Sequence, residues 1–243
     1  MLMLAAFIAG TVDAIAGGGG LITLPALLAA GLDPHFALGT NKGQSVFGSS
    51  AALFRFWRAG RVDRKLARFT FPLSFAGALV GATLVLSVPA SVLRVVVIAL
   101  LLAAALFVFL RNPSKTHAVL AVTPPWAAPL MALGIGAYDG FFGPGTGTFL
   151  IVGFVALLGR SLTHASADAK VVNFASNLAS VIIFGLRGVI LWKIALPMAL
   201  AQFLGGNVGV HLTLKGGDKL VRRVVLVVVV GLVAKLVRDL YVG

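Results

Sequence analysis

Long apolar stretches constrain the fold of this chain more than any other feature of its sequence. Eight of them follow one another, at 2–30, 36–56, 69–88, 91–110, 126–158, 164–186, 194–214 and 223–241. A helix crosses a bilayer with about 20 mostly apolar residues. With 59% hydrophobic and only 11% charged residues, the chain cannot cover a water-facing surface. The sequence therefore predicts an all-α polytopic membrane protein with about eight transmembrane segments.

The first and fifth stretches differ from the others because each is too long for one crossing and too short for two. Each carries a glycine-rich interruption near its middle, at Gly17–Gly20 and at Gly143–Gly147. Irregular backbone is tolerated at membrane depth only where protein or a polar cavity surrounds it. We therefore expect these two helices to be broken or re-entrant at the glycines.

The chain also contains an internal duplication. Asp13, Gly17 and Gly19 recur 126 positions later, and Lys42 recurs as Lys170 at an offset of 128. The pattern predicts two homologous four-helix repeats, residues 1–112 and 126–243, joined by a linker at 113–125. Four crossings per repeat would give both copies the same orientation, whereas three or five would invert one copy. The offset alone does not decide between these arrangements.

Basic residues predict how the chain is oriented. The formal net charge is +13, and the 55–68 connection holds six of the twenty Lys and Arg. Such residues collect in the cytoplasmic loops of membrane proteins, so the charge does not call for a nucleic-acid partner. With eight crossings and this connection in the cytoplasm, twelve basic residues lie inside and six outside. We expect a multi-pass protein of the plasma membrane, the inner membrane of a prokaryote, with both termini cytoplasmic.

Polar residues and glycines inside the apolar stretches define a candidate substrate-binding site. The set is Gly17, Gly18, Gly19, Gly20, Asn41, Lys42, Gln44, Ser45, Gly143, Gly145, Thr146, Gly147, Lys170, Asn173 and Asn177. Candidate coupling or gating groups are Asp13, Asp139 and Asp168. Intramembrane charges are costly and usually have an interior partner. Structural interpretations stay open: the glycines could serve close packing, Lys42 could reach the interface, and the aspartates could cap helices or pair with the lysines.

The chemistry of this set favours a small oxyanion as ligand. Two lysines, several neutral donors and the N-terminal ends of restarting helices all attract negative charge. The aspartates then become candidates for proton coupling, although a passive anion channel would use the same helix ends. The sequence holds no cysteine, and its four histidines show no metal-ligand spacing. We therefore expect no metal, no cofactor and no enzymatic activity, with the anion and the lipid bilayer as partners; the sequence leaves open whether the protein forms a homo-oligomer.

Four motifs make the chain resemble a known family. They read "AGTVDAIAGGGGLITLPALLAAGL", "ALGTNKGQSVFGSSAALFRFWRAGRVD", "IGAYDGFFGPGTGTFL" and "ADAKVVNFASNLASVIIFGLRGVI". Over essentially its whole length, the sequence is similar to the TauE/SafE family, also called the 4-toluene sulfonate uptake permease family. The resemblance implies a secondary transporter for small sulfur-containing anions such as sulfite or organosulfonates, and it marks the candidate residues above apart from Thr146 and Asp168. Where the family commonly has Gly-Thr before the second lysine, this chain places Asp168 near Lys170, which would change the charge at the site.

Overall fold

The structure, a computed structural model, describes residues 1–110, 124 and 126–242. In this part of the chain all regular structure is helical. The helices are α1 Leu2–Ala16, α2 Gly20–Ala29, α3 Pro34–Arg58, α4 Arg64–Leu86, α5 Ala90–Leu110, α6 Ala127–Phe141, α7 Thr146–Leu158, α8 Leu162–Leu186 and α9 Trp192–Val242. Helix α9 is interrupted at Gly217, where φ is 56° and ψ is −156°. Nearly all of the predicted linker 113–125 lies outside the described residues, so its boundaries stay a prediction.

The first glycine cluster turns the chain back on itself. Gly17 and Gly18 have φ angles of 75° and 91°, which residues with a Cβ rarely adopt. Beyond them, a Cβ placed on Gly19 would lie 2.8 Å from the carbonyl oxygen of Ala9. A continuous helix would carry residue 19 about 15 Å past residue 9, so the close approach shows a reversal of direction. Helices α1 and α2 therefore form a hairpin.

The second glycine cluster produces the same arrangement between α6 and α7. Gly143 and Gly145 have φ angles of 98° and 88°. The ring of Tyr138 in α6 lies 5.5 Å from that of Phe149 in α7. Further from the turn, a Cβ on Gly153 would lie 3.1 Å from Cε of Met131. Contacts between residues progressively further from the turn are the mark of two antiparallel helices.

Helix lengths fit a membrane protein whose two hairpins dip into the bilayer. Helices α1 and α6 have 15 residues, α7 has 13 and α2 has 10. At about 1.5 Å per residue none of them covers the ~30 Å hydrocarbon core alone. Helices α4 and α8, with 23 and 25 residues, have the length and hydropathy of a spanning helix. Large apolar side chains on the outer faces are exposed, among them Phe54, Phe69, Leu84, Leu130, Leu186 and Leu200.

Glycines allow the helices of the two predicted repeats to pack backbone against backbone. Gly77 and Gly81 of α4 touch the backbone of α6, and Gly205 and Gly209 of α9 touch that of α1. These are the small residues at four-residue spacing that close helix contacts use. Helices α4 and α9 thus each pack on the hairpin of the other predicted repeat.

Contacts between connecting segments bear on the predicted path through the membrane. Asp63, just before α4, pairs with Arg160, which lies between α7 and α8. The N–H of Leu191, just before α9, donates to the hydroxyl of Thr40 in α3 at 3.1 Å. Eight crossings would put the members of each pair near opposite membrane faces, where they could not touch. A path in which each hairpin returns to the face that it entered satisfies both contacts.

Candidate functional site

Two ion pairs join the predicted repeats in the interior of the protein. Lys42 Nζ donates to Oδ1 of Asp139 at 2.8 Å, and Lys170 Nζ donates to Oδ2 of Asp13 at 2.7 Å. Lys42 and Lys170 are 2% and 0% exposed, so both side chains are enclosed by protein. An unpaired charge at such a depth would be strongly unfavourable, which explains why each lysine has a carboxylate partner.

Asp139 is enclosed by hydrogen-bond donors. Besides Lys42, its carboxylate accepts from the hydroxyl of Thr146 at 3.0 Å, from Nδ2 of Asn173 at 3.4 Å and from the hydroxyl of Ser176. Lys42 also donates to Oδ1 of Asn177 at 3.0 Å. Helices α3, α6, α7 and α8 therefore meet at one carboxylate, whose negative charge is fully compensated by its neighbours.

Asp13 is held by fewer groups. Its Oδ1 accepts from the N–H of Gly19 at 3.2 Å, and its Oδ2 accepts from Lys170. At the repeat spacing Gly48 stands where Ser176 stands beside Asp139, so the corresponding hydroxyl donor is missing. The side chain of Asp13 is 16% exposed, against 3% for Asp139. Of the two carboxylates, Asp13 is therefore the more exposed and has fewer hydrogen-bond donors around it.

The two glycine breaks lie against each other. A Cβ on Gly147, in the first turn of α7, would lie 2.6 Å from Cα of Gly17. A Cβ on Gly143 would lie 2.9 Å from Nζ of Lys42. The missing side chains therefore let the hairpin turns touch and let a lysine reach its carboxylate.

A small polar cavity lies between the hairpin turns and helices α3, α8 and α9. Its volume is about 20 Å³, which is room for about one water molecule. Its lining is Asp13, Gly18, Gly20, Asn41, Lys42, Ser45, Asp139, Gly143, Gly145, Gly147, Asn173, Asn177 and Gln202. All but the last belong to the set singled out from the sequence.

The other candidate residues lie behind the lining. Gly17 and Gly19 shape the first hairpin turn, and Thr146 and Lys170 donate to the aspartates. Gln44 donates to Oδ1 of Asn41 at 3.1 Å, where the hydroxyl of Thr23 also donates at 2.6 Å. Thr23 was not singled out from the sequence, because a threonine hydroxyl inside a helix usually bonds its own backbone.

Asp168 takes part in a separate polar cluster near the start of α4. It accepts the N–H of Asp63 at 2.8 Å and lies 3.6 Å from Nε of Arg160. Partial burial on its own would raise the pKa of Asp63, yet the N–H groups of Leu66 and Lys65 and the Arg160 guanidinium hold that pKa below its usual range. Asp168 therefore joins α8 to the start of α4, and it does not line the cavity.

Gln202 is the lining residue that the sequence reasoning missed. It lies in α9, and its polar side chain within an apolar stretch could have identified it as a candidate residue. The repeat comparison hid it, because the position that matches Gln202 at the offset of 128 is Ser74. Ser74 donates its hydroxyl to the carbonyl of Val172 and so has an internal structural role.

Comparisons with known proteins agree with the composition and the helical fold. The family model described as "Sulfite exporter TauE/SafE" matches residues 2–236. The "Probable membrane transporter protein ORF9" of a Sinorhizobium species is 43% identical over 98% of this chain and 92% of its own length. The "Probable membrane transporter protein YfcA" of Escherichia coli K12 is 40% identical over 98% of this chain and 89% of its own length. A more distant relative, YdhB of Bacillus subtilis, is 22% identical over 88% of this chain. No solved structure matches the chain. A match of this extent means that the chain belongs to the TauE/SafE sulfite exporter family.

Proposed function

We propose that this membrane transporter is a proton-coupled secondary transporter of a small sulfur-containing oxyanion such as sulfite or an organosulfonate. The observation that carries the proposal is the pair of reciprocal lysine–aspartate contacts, Lys42 with Asp139 and Lys170 with Asp13, beside one small polar cavity. The sulfur-containing substrate is supported by the description of the family model. A membrane-embedded enzyme finds no comparable support, since the chemistry of the set is that of charge compensation.

Charge balance links the anion to a proton. Each lysine already has a carboxylate partner, so the four charges sum to zero and an entering anion finds no free cation. Protonation of one carboxylate would release its lysine, and the anion would then occupy the place of the lost negative charge. Moving anion and proton together keeps the buried charge balanced at every stage, which avoids the cost of an unpaired ion in a low-dielectric interior.

The donors around the cavity suit an oxyanion with several equivalent oxygens. Asn173 and Ser45 line the cavity beside Lys42, and the first turns of α2 and α7 begin at its edge. Helix N-termini present unpaired N–H groups and a positive dipole end to an anion. Sulfite and sulfonates each carry three oxygens on one sulfur, so several donors can bind one ion at once.

The orientation that we propose differs from the one expected from eight crossings. With two re-entrant hairpins, each repeat crosses the membrane three times, and the repeats become inverted relative to each other, as in several transporter folds. Thirteen of the twenty Lys and Arg then fall on the face of the 55–68 connection and five on the other face. This bias is stronger than the twelve against six of the eight-crossing path. The basic face is therefore assigned to the cytoplasm of a plasma-membrane protein, and both termini to the opposite side.

Single-cysteine labelling tests this path, and the chain has no cysteine of its own to give background. The variants are Ala59→Cys, Ser161→Cys and Arg187→Cys, at exposed positions in three connections. In intact cells a membrane-impermeant maleimide is expected to label only residue 187, while 59 and 161 react after permeabilisation. Eight crossings predict instead that residue 161 alone is labelled in intact cells. That second pattern would overturn the proposed orientation.

Flux into proteoliposomes tests the transport mechanism. Proteoliposomes that contain the purified protein are expected to accumulate a radiolabelled sulfonate against its concentration gradient when the outside solution is made acidic. Accumulation should stop when a protonophore collapses the pH gradient, because the proton then no longer drives the anion. A passive channel would instead equilibrate the anion at a rate that ignores the pH gradient, and that result would contradict coupled transport.

A further inference from the structure

Gln202 lines the cavity and carries a buried amide oxygen without a hydrogen-bond partner. The residue is 2% exposed, yet its Oε1 is buried without a hydrogen-bond partner. In the described part of the chain no donor or acceptor contacts either end of the amide. Leaving such a group unpaired destabilises the folded protein, so its occurrence beside a polar cavity calls for an explanation.

Two glycines make the space in which this amide lies. A Cβ on Gly48 of α3 would lie 2.6 Å from Cγ of Gln202 and 3.1 Å from its Nε2. On the other side, a Cβ on Gly10 of α1 would lie 2.9 Å from the same Cγ. Any larger residue at Gly48 would displace the amide from the cavity wall. The recess is thus shaped by three helices to hold a glutamine side chain at the site.

The neighbouring amides of the cavity already have partners. Oδ1 of Asn41 accepts from Thr23 and Gln44, and Oδ1 of Asn177 accepts from Lys42. Gln202 adds a neutral group with an acceptor oxygen and two donor hydrogens, whichever way the amide is turned. An acceptor is of use to an anion only if that anion also carries a hydrogen on oxygen or nitrogen.

We propose that Gln202 is a substrate-binding residue that recognises an O–H or N–H group on the transported anion. The inference rests on the proposed function, since it takes the cavity as the anion site. The ligand is then a small oxyanion with a hydrogen-bond donor near its charged end, such as a hydroxyalkyl or aminoalkyl sulfonate. A site with a dedicated polar partner discriminates strongly against analogues that lack the matching group, because the protein group is then left unpaired.

Binding of a matched pair of anions tests the proposal. Titration calorimetry of the full-length protein would compare 2-hydroxyethanesulfonate with ethanesulfonate. We expect the wild-type protein to bind the hydroxylated anion at least about tenfold more tightly, and Gln202→Leu to reduce this ratio to about one. Without ligand, the Tm of Gln202→Leu should not fall, because no protein partner of the amide is lost.

Ser74→Ala is the matched control at the equivalent position of the first predicted repeat. It removes an internal hydrogen bond to Val172 and should lower the Tm while leaving the ratio unchanged. A ratio near one in the wild-type protein, or an unchanged ratio in Gln202→Leu, would overturn the role of Gln202 and leave its amide as the partner of a water molecule. If the wild-type protein binds neither sulfonate, the proposed substrate class fails. The pair lactate and propanoate, judged by the same ratio, then decides the role of Gln202.

Discussion

Replacing Lys42 with methionine is expected to lower the free energy of unfolding by about 3–5 kcal/mol and to abolish anion binding. The methionine keeps the length and the apolar stem of lysine but removes the charge that faces Asp139. Asp139 would then be a buried carboxylate with only neutral donors around it. Thermal unfolding in detergent, monitored by circular dichroism, measures the first effect, and calorimetric titration with a sulfonate measures the second.

Two control variants separate the loss of a charge from the loss of a side chain. Lys193→Met removes an exposed lysine at the start of α9 and should leave both measurements unchanged. The double variant with Lys42→Met and Asp139→Asn removes both charges of the pair, so much of the lost stability should return while binding stays absent. Equal destabilisation in the double variant and in Lys42→Met would contradict the ion pair as the cause.

Much of the lining of the cavity could be predicted from the sequence because charged residues are rare in the apolar stretches of a membrane protein. A lysine or aspartate in an apolar stretch is expensive, so Lys42, Lys170, Asp13 and Asp139 stand out without any structure. The glycine clusters stand out for the same reason, since they interrupt helices where interruption needs support. Both interruptions are present, and twelve of the residues singled out line the cavity.

The path of the chain and the pairing of residues were harder to predict. Hydropathy reports that a segment is apolar, but it is blind to a reversal such as the one after Gly18, which depends on backbone angles. The pairing of each lysine with the aspartate of the other predicted repeat depends on how the helices interlock through Gly77 and Gly205. Gln202 escaped notice because a single amide in α9 has no counterpart in the duplication. Such features arise from tertiary packing, which no single stretch of sequence records.

Replacing Asp13 with asparagine is expected to make anion binding independent of pH. In the wild-type protein, the proposed coupling makes anion binding take up a proton at Asp13 as Lys170 changes partner, so the affinity for the anion rises as the pH falls. If one proton is taken up with each anion, the affinity changes by up to about tenfold per pH unit. The amide of the new side chain would imitate the protonated carboxyl, so the Asp13→Asn variant should bind tightly at pH 8 and show almost no pH dependence.

Three measurements decide whether Asp13 carries the coupled proton. Titrations between pH 5.5 and 8 should use a sulfonate, whose own charge is constant over this range, so that any slope belongs to the protein. Asp139→Asn should keep the slope, because Asp139 is enclosed by Thr146, Asn173 and Ser176 and has little freedom to exchange partners. Lys170→Met should abolish binding at every pH, since it removes the cation that the anion needs. A slope that survives in Asp13→Asn but disappears in Asp139→Asn would move the coupling role to the other pair, and the greater enclosure of Asp139 would then be part of the coupling mechanism itself.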